Sequence, residues 1–220
     1  AVDLPGHGKS DGSSKSSIDE YSRDIIDFLD AMELENVCLV GHSMGAAIAL
    51  NASLSHCWRI CSVVAIGGAS KMIVSDAILE GLQTTFEETV DNIVKYSWHK
   101  KTGAIADSQK MAAYFREKAK QRILDAGSKT VHGDFLACSR FDLGDRLGEI
   151  SIPVLVIASD CDRMVPYNVS QEMARKLPNA KFVSLEGCGH FQHIEQTSRV
   201  ATELSCFLSS ISNNKAFHVL

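Results

Sequence analysis

The residues Gly41-His42-Ser43-Met44-Gly45 read G-x-S-x-G, between the apolar run 37–40 and the helix-forming run 46–50. By chance such a pentapeptide occurs in roughly one chain in fourteen of this length, so the flanks carry the argument. A serine on a strand-turn-helix corner is held in a strained backbone conformation with its hydroxyl lifted clear, and bulky neighbours would collide there. Gly41 and Gly45 are expected to supply the clearance, which makes Ser43 the nucleophile candidate. A serine hydroxyl needs a base within reach and an acid behind that base. His190, His193 and His7 are candidates for the base, and Asp160 and Asp162 for the acid. The backbone N–H of Met44, at the head of the following helix, is the expected donor to an oxyanion, aided by the positive end of that helix.

The elements that must position these groups follow from periodicity. Ser17-Ile18-Asp19-Glu20 reads as a capping box, and Ile18, Tyr21, Ile25, Phe28, Leu29 and Met32 recur at helical spacing, which predicts a helix over 18–32. Residues 37–40, 60–66 and 154–158 are short apolar runs of the kind found in strands covered on both faces. Helical 168–176, a strand at 181–185 and a closing helix through Val200, Leu204, Phe207, Leu208 and Ile211 follow, with residues 213–220 expected as a frayed tail. Strands alternating with helices imply a parallel sheet. Between Gly68 and Ile150 the strand signal disappears, and two helical stripes replace it: Ile78, Leu82, Phe86, Val90, Ile93 and Val94, then Met111, Tyr114, Phe115, Ala119, Ile123 and Leu124.

Three further stretches match the α/β-hydrolase superfamily in order. Ala1-Val2-Asp3-Leu4-Pro5-Gly6-His7-Gly8-Lys9-Ser10 resembles the end of that family's fourth strand and its turn. Ser159-Asp160-Cys161-Asp162-Arg163-Met164-Val165-Pro166 resembles its acid-bearing loop, with serine at 159 where the family usually has glycine. Gly187-Cys188-Gly189-His190 resembles its histidine loop. The order serine, aspartate, histidine is the one this fold uses. The resemblance implies Ser43, Asp162 and His190 as the triad, Asp162 being preferred to Asp160 by its distance from the Val-Pro pair.

It also implies an α/β fold, a mostly parallel sheet flanked by helices. Residues 1–68 and 151–220 would form the core, with a helical cap inserted at 69–150. The chain starts where the family's fourth strand should be ending, and without methionine. The first strands, and the loop giving a second oxyanion amide, are therefore expected upstream of Ala1. The activity implied is that of a serine esterase working through an acyl-enzyme. Carbon-carbon bond hydrolase, cofactor-free perhydrolase and a non-catalytic small-ligand receptor are the alternatives. His42, Trp98, Phe135 and Phe141 are expected to touch the substrate, as are His99 and His132.

Composition narrows the partners. The 220 residues are 45% hydrophobic and 22% charged with a net charge of -5, an ordinary globular balance with no basic stripe for nucleic acid. No apolar run approaches the ~20 residues needed to cross a bilayer. Cys38, Cys57, Cys61, Cys138, Cys161, Cys188 and Cys206 contain no C-x-x-C pair, which argues for reduced thiols in a cytoplasmic protein and against a zinc site. No cofactor or metal is expected, and the partner is a small acyl substrate.

Overall fold

A computed structural model describes residues 1–55, 58–100, 109–211 and 218–220. Helix α1 (Ile18–Ala31) starts at the capping box: Glu20 N–H donates to Ser17 Oγ, and the Glu20 carboxylate accepts from Ser16 N and Ser17 Oγ. Strand β1 (Val37–His42) leads through Ser43 into α2 (Met44–Ser55), and β2 (Ile60–Ile66) follows. Next come α3 (Asp76–Thr84), α4 (Phe86–Ser97) and the long α5 (Gln109–Ser139), which is broken at Gly127, where φ is 80° and ψ 156°. A short 3-10 turn at Gly144–Glu149 returns the chain to β3 (Val154–Ser159). The remaining elements are α6 (Tyr167–Lys176), β4 (Ala180–Leu185), the single turn α7 (Gln192–Glu195), α8 (Thr197–Ile211) and β5 (His218–Val219).

The strands form one parallel sheet in the order β4-β3-β2-β1-β5. Its central strands are buried along almost their whole length, as continuous apolar runs require when both faces are covered. One face packs on α1, α2 and α6 through Tyr21, Leu29, Leu50, Val63, Val156 and Met173; the other packs on α8 through Val64, Leu155, Val200 and Phe207. Helix α2 is apolar from Met44 to Leu50, and residues 46–50 are all buried.

The tail expected to fray carries β5 instead. His218 and Val219 pair with Val37 and Cys38, and Val40 N–H donates to the Leu220 carbonyl. Edge pairing satisfies backbone groups that side-chain periodicity does not report. Cys57 and residues 213–217 lie outside the described residues, as does the side chain of Met111. The described cysteines are free thiols. Among the described residues no helix is long and apolar enough to cross a membrane.

The helical segment between β2 and β3 is closed at its base. Lys71 and Asp142 form an antiparallel bridge and an ion pair at 2.7 Å, and Leu143 N–H donates to the Ser70 carbonyl.

Candidate active site

Strand β1 delivers Ser43 to the carboxyl edge of the sheet, where its φ of 54° places a non-glycine residue in the left-handed region. The turn is held by Ser43 N–H donating to the Ile66 carbonyl and by the Ser43 carbonyl accepting from Ala46 and Ala47. A Cβ on Gly41 would stand 2.1 Å from the Gly45 carbonyl oxygen, so glycine is obligatory there. Gly45 is different: a Cβ on it meets nothing within 4 Å, which corrects the expectation that both glycines clear space for side chains. Its backbone is the object that Gly41 must clear. The Met44 N–H opens α2 and donates to no acceptor among the described residues.

The acid and base loops leave β3 and β4, the strands on the far side of β2. Asp162 Oδ1 accepts from Met164 N–H and Val165 N–H, both at 2.9 Å, and Oδ2 accepts from His190 Nδ1 at 2.8 Å. Both side chains are buried, His190 at 6% and Asp162 at 1% exposure. With Nδ1 engaged, Nε2 is the nitrogen left for the cavity that Ser43 and His190 both line. Asp160, the rival acid, is exposed and accepts from Gly187 N–H at 2.8 Å, so its work is to shape the histidine loop.

Ser159, standing where the family usually has glycine, ties the two loops together. It is fully buried, its Oγ donates to the Cys188 carbonyl, and Cys188 Sγ lies 3.2 Å from that Oγ. Burial pushes the Cys188 thiol up to about 12 and raises Cys161 as well, which disfavours the thiolate a redox role would need. A second brace comes from α4. The Ser97 carbonyl accepts from His190 N–H at 2.6 Å, while Glu195 accepts from Gly189 N–H and His99 N–H.

His42 lines the cavity, and its Nε2 lies 2.8 Å from the His190 carbonyl, to which it donates. Burial, reinforced by the His190 and His193 rings, pushes His42 well below the usual histidine range, so it is neutral. His193, the other rival base, is outside the cavity wall; burial and then His190 push it down to about 4. His7 does line the cavity, but its Nε2 is engaged by Asp134 Oδ2 at 2.8 Å, and that hydrogen bond raises its pKa against the effect of burial.

The cavity is about 620 Å³ and its wall is mainly apolar, with Met44, Met72, Ile78, Ile123, Phe135 and Phe191 prominent. Of the expected substrate contacts, His42 and Phe135 are on this wall. Trp98 and Phe141 are not, and these two are corrected. Trp98 is buried under Phe191 with Val90 and Val94, and Phe141 belongs to the core beneath the sheet. Both have aromatic rings that serve packing, which composition does not separate from contact. His99 and His132 also lie off the wall. Sequence reasoning missed Gln192, Gly67, Glu195 and Asp134, whose signals are tertiary.

Comparison with known proteins bears on the fold and the family. A family model described as the alpha/beta hydrolase fold matches residues 1–197. The chain is 31% identical to a 2-hydroxy-6-oxononadienedioate/2-hydroxy-6-oxononatrienedioate hydrolase of Paraburkholderia phymatum, over 94% of this chain and 75% of that protein. It is 24% identical to 3-oxoadipate enol-lactonase 1 of Acinetobacter baylyi, over 95% of this chain and 77% of that one. A solved thermophilic esterase superposes with a TM-score of 0.83 at 29% identity, covering 96% of this chain and 81% of its own. The enol-lactonase of Burkholderia xenovorans shares the fold, with a TM-score of 0.84 at 20% identity over 94% of this chain and 79% of its own. A parallel sheet that carries a serine on a strained strand-to-helix corner, matched along nearly its whole length by these hydrolases, makes this chain a member of the alpha/beta hydrolase family.

Proposed function

We propose that this chain is a serine hydrolase that cleaves an ester or similarly activated acyl substrate through an acyl-enzyme. The observation that carries the reading is the shared cavity wall: Ser43, on its left-handed corner, and His190, whose Nδ1 is held by Asp162, line the same apolar space. In acylation Ser43 Oγ bonds to the substrate carbonyl carbon while its proton passes to His190 Nε2. The bond to the leaving group then breaks, and His190 returns the proton to that group. Water repeats the sequence in reverse and frees the acid. Asp162 fixes the imidazole tautomer and stabilises the imidazolium, and the Met44 N–H donates to the oxyanion. Residues 69–150 act as a cap whose helices shape the acyl pocket, with Phe135 and His42 on its wall.

A second reading, carbon-carbon bond hydrolysis by the same triad, is favoured by the relative named for an oxo-dienedioate substrate. A p-nitrophenyl ester series of increasing chain length, run beside such an oxo-acid, separates the two.

The test of the mechanism is a variant set. Ser43→Ala and Asp162→Asn are expected to lose turnover by at least about 10³-fold with the fold intact, and Asp160→Asn to keep most of it. A fluorophosphonate is expected to label Ser43 rapidly. A folded Ser43→Ala protein with wild-type turnover, or a folded chain that resists the label, would overturn the reading.

A further inference from the structure

The Asp162 carboxylate meets a donor that the triad does not require. Gln192, the first residue of α7, is fully buried, and its Nε2 donates to Asp162 Oδ2 at 3.1 Å, the same oxygen that accepts from His190 Nδ1 at 2.8 Å. The other end of the amide, Oε1, is buried with no hydrogen-bond partner. Turning the amide over would set Oε1 against a carboxylate oxygen, two acceptors face to face, so the orphaned carbonyl identifies which end must point at Asp162. A buried unsatisfied carbonyl is costly, and a leucine or methionine would fill this space without one. The junction is also tightly enclosed. A Cβ on Gly67 would lie 3.3 Å from Gln192 Nε2, 3.3 Å from His190 Nδ1 and 3.4 Å from Asp162 Oδ2. Gln192 is absent from the cavity wall, so it has no route to the substrate except through Asp162 and His190.

From this geometry we infer that Gln192 is a positioning residue of the triad: by donating to Asp162 Oδ2 it holds the carboxylate from the side opposite Met164 and Val165, and shares the oxygen on which the imidazolium depends. The inference rests on the triad reading above. A carboxylate oxygen with two donors shares its charge between them. The other titratable groups around His190 are His42 on β1 and His193 and Glu195 on α7. Of these, His42 bonds the His190 carbonyl, and Glu195 accepts from Gly189 N–H.

The experiment replaces Gln192 by methionine, which keeps the length and removes both polar atoms. With Gln192→Met, KM for the best ester is expected to stay within about twofold, while the midpoint of the acid limb of kcat/KM moves up by roughly 0.3–1 pH unit. The proton NMR resonance of His190 Nδ1–H is expected to move downfield. A midpoint and a resonance that both stay at the wild-type values, or a change confined to KM, would overturn the inference. Gln192→Leu serves if the methionine variant does not fold. The wild-type protein supplies a reading that needs neither a variant nor turnover: the Gln192 side-chain amide signal is expected to shift as His190 titrates, and an amide signal flat across that transition overturns the inference. Loss of ester turnover as such bears on the proposed function, whereas the two NMR readings bear on Gln192.

Discussion

A histidine buried beside another histidine carries a consequence for stability. His193 sits near 4 in the folded chain against ~6.5 when unfolded, mainly through burial. The unfolded chain therefore binds more protons between those values, and stability is full above pH ~6.5 and falls as pH drops toward 4. The shift corresponds to on the order of 3 kcal/mol. His42 adds to the loss with the same sign. Urea titrations at pH 7 and pH 4.5 are expected to show a clear fall for the wild type and a smaller one for His193→Phe, which also removes the unpartnered Nδ1. Parallel curves for the two proteins would show that His193 is not the group responsible.

At the level of elements, the strand-to-helix corner at Ser43 makes two glycines unequal. Gly41→Ala would drive a Cβ into the Gly45 carbonyl at 2.1 Å and the Ala46 nitrogen at 2.5 Å, both backbone atoms, and is expected to unfold the corner or lose several kcal/mol. Gly45→Ala, inside helix α2 with open space around it, is expected to change stability by no more than about 1 kcal/mol, in the stabilising direction. Thermal melts of the two variants check the contrast, and equal losses would contradict it. The motif pattern treats the two positions alike because a sequence records residue types and not which atom approaches which.

The same limit sorts the rest of the reading. Helix α1 and strands β1 to β4 were legible to within two residues at each end, because burial on one face or both imposes a periodicity. Strand β5 was not, since two residues of edge pairing impose none. Asp162 and His190 stand in the loops after β3 and β4 and meet through Oδ2 and Nδ1. Gln192 and Gly67 meet them only when α7 folds back over the end of β2, and Trp98 and Phe141 could not be told from pocket residues by type.

Across the whole molecule, one carboxylate links three parts of the chain. Asp134 on α5 accepts from Tyr21 Oη of α1 at 2.5 Å and pairs with His7 of the first turn at 2.8 Å. Nearby, a Cβ on Gly133 would stand 2.6 Å from Ser14 Oγ, so α5 lies close on the loop before α1. Tyr21 is fully buried, and although its Oη also accepts from Lys15 N–H, removing Asp134 would leave the hydroxyl proton without its acceptor. Asp134→Ala is expected to cost roughly 2–3 kcal/mol and Tyr21→Phe about 1 kcal/mol, with the double variant close to Asp134→Ala alone. Urea unfolding of the four proteins measures the coupling, and additive losses would mean the bond contributes nothing. The pH sign opposes that of His193: because the Asp134 hydrogen bond raises His7, its contribution is complete at low pH and fades as pH rises through the folded value.

The bridge between Lys71 and Asp142 makes the long excursion from β2 to β3 leave and re-enter the sheet at one spot. Closing a loop whose ends already touch costs little more for a long insert than for a short one, since each doubling of length adds only about 0.6 kcal/mol. The register of Val63 to Ile66 on Val154 to Ile157 lies outside that excursion, although the excursion itself supplies Ser97 and Asp134 to contacts with the rest of the chain. Much of the cavity wall, including Ile78, Ile123 and Phe135, is carried on that length, while Ser43, Asp162 and His190 are not. Change in what the cavity accepts can accumulate in that one stretch of the gene only where two joints are kept, the Ser97 carbonyl that receives His190 N–H and the Asp134 carboxylate that holds Tyr21 and His7, so a graft at residues 71 and 142 that omits either would disturb the far side of the joint as well as the pocket.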